Sequence, residues 1–329
     1  MPARYWILSI VVCALVACEV PQPDMQYDVT VCTPIPSPRA AATGFVIKDN
    51  AYIFGGRDCN NVYLNDLWLY NAQQDTWHSL GNTPLKGRVN ATACVHDGIA
   101  YIGLGFNGDY SNYPSYLMDW WSYDPTTNTW KQLSDYPANT TARAISLVGN
   151  GELYVGYGFC RTYERDMYRY DIDNDTWSLI DVHLDRKAFT FPMRSFGGVG
   201  FTCQGRHFAG TGFRKYSLNW WGEFMPEGKW QKCKDVPGEK RTLAACTATK
   251  DFVYVIGGMH FGGVNTTGRW LNDIQRYNPL TDTWLHVGNL PNKGRINHIA
   301  FCIGNRVFVG LGEDDNIQIC GDLYCIHEK

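Results

Sequence analysis

Between Arg39 and Trp77 the chain passes from apolar to polar four times, and each stretch has the length of a strand. Ala40 to Ile47 is a run of small and apolar residues stopped by the turn cluster Lys48-Asp49-Asn50, and Ala51-Tyr52-Ile53-Phe54 follows and ends at Gly55-Gly56. Asn65-Asp66-Leu67-Trp68-Leu69-Tyr70 alternates as a third strand, and Asp75-Thr76-Trp77-His78-Ser79-Leu80 opens a fourth. The alternation has the period of strands, not of helices, so the segment predicts one four-stranded antiparallel blade.

The same grammar returns five more times. An arginine opens each apolar run, at Arg39, Arg88, Arg143, Arg194, Arg241 and Arg295, with 47 to 55 residues from one to the next. A period of that length built from strands predicts a propeller or a solenoid. Aromatics and glycines mark the second strands downstream, as in Tyr101 with Gly105, Tyr154 with Gly158 and Tyr254 with Gly258. Third strands carry Tyr70, Tyr123, Tyr170, Phe224 and Tyr277; fourth strands carry Trp77, Trp130, Trp177, Trp230 and Trp284. These residues resemble the kelch repeat, in which a double glycine precedes a tyrosine and then a tryptophan. The resemblance covers nearly all of the chain after the first 25 residues and implies an all-β, six-bladed kelch β-propeller.

The first glycine of the pair survives only at Gly55 and Gly257, whereas the second recurs in all six repeats. Positive φ or close backbone approach near the crowded axis is the expected reason. The sixth repeat ends at Asp322-Leu323-Tyr324-Cys325-Ile326-His327 with no tryptophan strand. Tyr27-Asp28-Val29-Thr30-Val31-Cys32 aligns with the tryptophan strands of other repeats, so the N-terminal segment is expected to close the last blade and remove the ring's open edges.

Ahead of that strand, Arg4 precedes the apolar stretch Tyr5 to Ala17, too short to span a bilayer comfortably. Leu15-Val16-Ala17-Cys18 looks like a bacterial lipobox, and this likeness implies cleavage before Cys18, lipidation of its thiol and attachment at the outer membrane, the lipid being the protein's only hold on a membrane. The expected division is 1–17 signal peptide, 18–25 lipidated cysteine and linker, 26–329 propeller. In an exported chain, Cys32 with Cys325, on neighbouring strands, and Cys59 with Cys320, in equivalent loops of adjacent blades, are candidate disulfides. Cys94, Cys246 and Cys302 fall in first strands, where a thiol packs as a small hydrophobe. Net charge is −3 and charged residues make up 19% of the chain, which excludes a basic field for nucleic acid. No cysteine or histidine spacing suggests zinc, and no cofactor-binding motif is present, so neither metal nor cofactor is expected.

Strand direction puts every repeat arginine, and the residue after each recurring glycine, on one top face. The second set is Arg57, Phe106, Phe159, Phe213, Met259 and Glu313. Two concentric rings around the channel mouth would therefore be candidate ligand contacts. Guanidinium forks suit carboxylate or phosphate, although Asp66, Asp119, Asp166, Asp273 and Asp322 begin third strands on the same face and would neutralise part of the ring. Blade four has Trp220 in place of that aspartate, which makes Arg194 and Arg214 the expected unpaired cations. Phe106, Phe159 and Phe213 on consecutive blades would form an apolar platform for a sugar ring or a partner's side chain.

Glu313 is the one acid of the second ring, with His260 and His298 in neighbouring blades. A glutamate directly after the blade glycine is similar to the bacterial periplasmic sialic-acid mutarotases, which are six-bladed kelch proteins. There an arginine follows a few residues on. Here that position is Ile319, so the guanidinium would come from Arg295 or Arg57. The sequence thus reads as a lipid-anchored propeller that binds a glycan or an envelope protein at its top face, with an acidic-sugar mutarotase using Glu313 and the ring arginines as the alternative.

Overall fold

The computed structural model describes residues 27–108, 115–138, 142–149, 151–160, 162–163, 166–180, 195–263, 268–291 and 293–328. The expected signal peptide and Cys18 lie outside this set, as does Arg194. Every regular element among the described residues is a strand, and six four-stranded antiparallel sheets stand around one axis. Blade one runs outward through Thr43–Ile47, Asn50–Phe54, Asp66–Asn71 and Thr76–Asn82. Blade six is assembled from both ends of the chain: Ile299–Ile303, Arg306–Gly310 and Leu323–Glu328 are completed by Tyr27–Cys32. The register runs from Tyr27 opposite Glu328 to Cys32 opposite Leu323, as the aligned tryptophan strands anticipate.

A recurring bond set ties blade one to blade six, blade three to blade two and blade five to blade four. The Tyr70 hydroxyl donates to Asp75 Oδ1 (2.7 Å), Asp75 accepts the Thr33 amide of the closing strand (2.9 Å), and Trp77 Nε1 donates to the Thr33 carbonyl (2.8 Å). Tyr170, Asp175 and Trp177 do the same to Ser134 of blade two, and Tyr277, Asp282 and Trp284 to Lys234 of blade four. The tryptophan thus has a double reason to recur: its ring packs on the tyrosine of its own blade, at 4.8 Å for Tyr70–Trp77, and its N–H satisfies a carbonyl of the neighbour.

The recurring glycine has the cause expected of it. Gly56, Gly105 and Gly258 have φ near +95°, at 93, 97 and 98°. A Cβ added there would sit 2.8 Å or less from the carbonyl oxygens of Ala40, Val89 and Thr242. The preceding position also has positive φ, yet Leu104, Tyr157, Thr211 and Leu311 occupy it at 58°. Crowding as well as φ, therefore, distinguishes the glycine that cannot be replaced.

The expected disulfides are not formed: all ten described cysteines are free thiols. Cys325 faces Thr30 and Cys32 faces Leu323, so the two closing-blade thiols are two residues out of register. Cys94 packs as a buried hydrophobe.

Candidate functional site

The repeat arginines divide into two kinds. Arg39, Arg88, Arg241 and Arg295 are buried and each forms a bidentate pair with the aspartate that opens its blade's third strand. Arg39 reaches Asp66 at 2.7 and 2.9 Å, Arg88 reaches Asp119 at 2.6 and 2.8 Å, Arg241 reaches Asp273 at 2.8 and 2.7 Å, and Arg295 reaches Asp322 at 2.5 and 2.8 Å. Each also donates to the carbonyl 16 residues on, at Gly55, Leu104, Gly257 and Leu311. Burial works to raise the carboxyl pKa of Asp66 and Asp273, but the hydrogen bonds and charge of Arg39 and Arg241 outweigh it and hold both below the usual carboxylate range. These four guanidiniums are bolts of the scaffold, which corrects the expectation that they face a ligand.

Arg143 is different because it stands two residues further along its repeat. The bridges Ala40–Arg57, Val89–Phe106, Ala142–Phe159, Phe196–Phe213 and Thr242–Met259, together with the Ile296–Glu313 pairing, align the blades and put Arg143 level with Ala41, Asn90, Gly197, Leu243 and Asn297. All six have φ between 54 and 65°. Their backbones link around the axis, with Ala41 N donating to Asn297 O, Asn90 N to Ala41 O, Arg143 N to Asn90 O and Leu243 N to Gly197 O. This inner ring surrounds a mouth cavity of about 140 Å³. Below it opens an axial channel of about 560 Å³, walled by first strands of all six blades and largely by alanine, glycine and valine.

Across this mouth runs one polar chain. Arg143 Nη2 donates to Asn297 Oδ1 (2.5 Å), Asn297 Nδ2 donates to Glu313 Oε1 (2.5 Å), and Glu313 Oε2 meets Arg57 Nη2 at 2.8 Å. Blades three and six are opposite in a six-membered ring, so the Arg143 side chain spans the entrance. Its guanidinium also lies over the Phe196 ring, 4.9 Å from the centroid. Glu313 is buried, whereas the Arg57 side chain keeps a quarter of its exposure and also donates to Asn61 Oδ1 (2.8 Å). Of the two arginines the sequence offers for Glu313, the structure supplies Arg57, because blade one follows blade six around the closed ring.

The other expected site residues disperse. Phe106 is fully buried beneath Tyr116, with ring centroids 5.0 Å apart, so no three-phenylalanine platform forms. Phe159 packs on Phe196 (5.4 Å) and Phe213 on Phe261 (5.3 Å), both half-buried. Arg214 is exposed in its loop and has a contact of its own, so it is not the unpaired cation expected. His260 bonds to the Lys240 carbonyl (2.9 Å) and faces Glu239 (3.3 Å). His298, just below the mouth, is buried with Nε2 on the Ile256 carbonyl (3.1 Å); burial, reinforced by the charge of Arg295, draws its pKa from 6.5 down to about 3. Asn297 and Phe196 escape sequence reasoning. The signal was available as the second residue after each scaffold arginine, but an offset of two residues in blade three conceals it.

A closed six-bladed ring with a polar axial mouth defines the class: a β-propeller. Within that class the chain belongs to the kelch-repeat family. A family model described as the KLHDC2/KLHL20/DRC7 Kelch-repeats domain matches residues 22–195, and a Kelch motif model matches 240–291. Among curated relatives, Kelch-like protein 23 of Homo sapiens is 25% identical over 264 residues, 78% of this chain and 42% of that protein, so the chain spans less than half of that relative's length. N-acetylneuraminate epimerase 1 of Escherichia coli O6:H1 (strain CFT073) is 23% identical over 309 residues, covering 78% of this chain and 80% of that protein. The solved structure of YjhT superposes with a TM-score of 0.72 at 18% identity, over 89% of this chain and 95% of that one, a likeness of fold.

Proposed function

We propose that the top-face mouth binds an acidic monosaccharide, with its carboxylate on Arg143. The observation that carries this reading is the Arg143–Asn297–Glu313–Arg57 chain across the entrance. Four repeat arginines are consumed by aspartates, whereas Arg143 offers a planar fork over a cavity and Asn297 is its exchangeable partner. A carboxylate is the group that can replace the Asn297 oxygen with a stronger, bidentate acceptor. With Phe106 sealed away, support for an apolar partner's docking at this mouth weakens. The test is calorimetric titration with N-acetylneuraminate and glucuronate. Binding that falls about tenfold or more in Arg143→Ala supports the reading; no binding of either acid by the wild type ends it and returns the search to an envelope protein partner.

A second reading, acidic-sugar mutarotase, is favoured by the Glu313–Arg57 pair and by the epimerase relatives. Anomer exchange needs a base to take the anomeric hydroxyl proton and an acid to protonate the ring oxygen as the C–O bond opens. Glu313 would carry the proton and Arg57 would orient it. Exchange NMR on N-acetylneuraminate decides between binding and turnover: Glu313→Gln should abolish accelerated exchange while leaving affinity within a few-fold. We place the protein in the bacterial envelope as a lipoprotein on the Leu15-Val16-Ala17-Cys18 pattern, and Cys18→Ser should move it from the membrane to the soluble fraction.

A further inference from the structure

Blade five departs from its neighbours in two ways that meet at one place. Its second and third strands, Val253–His260 and Arg269–Asn278, are 8 and 10 residues long, where the corresponding strands of blade one have 5 and 6. The lengthened hairpin pairs Trp270 with Met259 beyond the recurring glycine. The second departure lies two residues after the scaffold aspartate. Blades one and two place a tryptophan there: Trp68 Nε1 donates to Asp66 Oδ2 (2.7 Å) and Trp121 Nε1 to Asp119 Oδ2 (2.9 Å). Blade five has Gln275, whose Nε2 makes the same bond to Asp273 Oδ2 at 2.7 Å but fills far less space.

The result is a cavity of about 700 Å³ between this hairpin and the Pro237–Glu239 loop, lined by Gln275, Trp270, Trp284 and His286. Gln275 is 4% exposed, and its Oε1 has no hydrogen-bond partner, nor has the buried Trp270 Nε1. An acceptor and a donor are thus left unsatisfied at the wall of one cavity, a costly arrangement for a closed site. His286 Nδ1 accepts from Gln275 Nε2 (3.2 Å), which places the proton of the neutral ring on Nε2 as a further donor at the rim. Arg269 and Glu239 pair beside the opening and cancel each other's charge.

We propose that this cavity is a second binding site, for a neutral pyranose ring of a glycan. A hydroxyl both donates and accepts, which answers Gln275 Oε1 and the Trp270 and imidazole donors, and Trp270 and Trp284 line the cavity with the aromatic surface that an uncharged ring packs against. The neutralised rim sets this ligand apart from the acid taken at the top-face mouth, and the inference stands independently of that reading.

The experiment is saturation-transfer NMR with lactose and with chitobiose, together with titration of tryptophan fluorescence. The wild type should show transfer to protons on one face of a pyranose. Gln275→Trp restores the residue that blades one and two carry and fills the cavity, so it should lower affinity at least tenfold with the melting temperature unchanged or raised. His286→Ala, on the exposed rim, should weaken binding several-fold without touching the core. Arg143→Ala, at the other site, should leave it unchanged. Absence of transfer from both sugars in the wild type, or binding unaltered in Gln275→Trp, overturns the proposal.

Discussion

Arginines two positions apart in the repeat perform two different tasks here. Arg241 has its guanidinium saturated by Asp273 and the Gly257 carbonyl in a buried setting, so Arg241→Met leaves Asp273 without its counter-ion. Denaturant titration should show a loss of about 3 to 5 kcal/mol, the usual consequence of breaking a buried pair from one side. His298 makes a separate prediction. Its folded pKa of about 3 lies below the ordinary 6.5, so between those values the unfolded chain binds a proton that the native chain does not. Stability should therefore fall as pH drops from 6.5 towards 3, by up to about 1.4 kcal/mol per pH unit. Ala42, Ala91, Ala144 and Ala244 line the mouth at the same level, and His298→Ala should flatten that slope in melting curves taken from pH 7 to pH 4. Paired carboxylates such as Asp66 and Asp273 act in the same direction only below about pH 3.8, so the histidine's window is distinct.

Strands were more legible in the sequence than the site because they are specified many times over. Tyr70, Asp75 and Trp77 each satisfy a packing or hydrogen-bonding need that recurs in blades three and five, so their spacing survives repetition and can be read without a structure. The closing strand was legible for the same reason: Thr33 had to present its amide and carbonyl to Asp75 and Trp77 as Ser134 does to Asp175 and Trp177. Arg143 was misaligned because a repeat spacing that varies from 47 to 55 residues does not resolve a shift of two, and only the Ala142–Phe159 bridge fixes Arg143 in the inner ring. Cys32 and Cys325 show the same limit, since neighbouring strands were inferred correctly but a register offset of two was not. The closing strand also carries an energetic expectation. A chain begun at Pro34 lacks the strand that covers Ile326 and Tyr324 and the acceptor of the Trp77 N–H. Its unfolding transition should broaden and move to lower temperature in calorimetry, with blade six opening first, as an edge left uncovered dictates.

At the scale of the whole ring, closure makes a tunnel whose upper entrance is crossed by a single side chain. The tunnel wall is built from small residues because six first strands converge on one axis, and three of its lining residues, Cys94, Cys246 and Cys302, are thiols. Burial pushes Cys246 well above the ordinary thiol range and Cys302 up to about 11, so both should react slowly with a small maleimide even where the reagent reaches them. Access is then the variable. Arg143 reaches from blade three to Asn297 of blade six across the mouth, and Arg143→Gly gives blade three the residue that blade four already has at Gly197 in the same ring and the same left-handed conformation. Labelling followed by peptide mass mapping should show Cys246 and Cys302 modified several-fold faster in Arg143→Gly, with the exposed Cys59 as an internal standard whose rate does not change. An acidic sugar that holds Arg143 should protect the same two thiols in the wild type but not in the variant. Equal rates in both proteins would mean that reagents enter from the opposite face, and that the Arg143–Asn297 bar serves the mouth site without governing the tunnel beneath it.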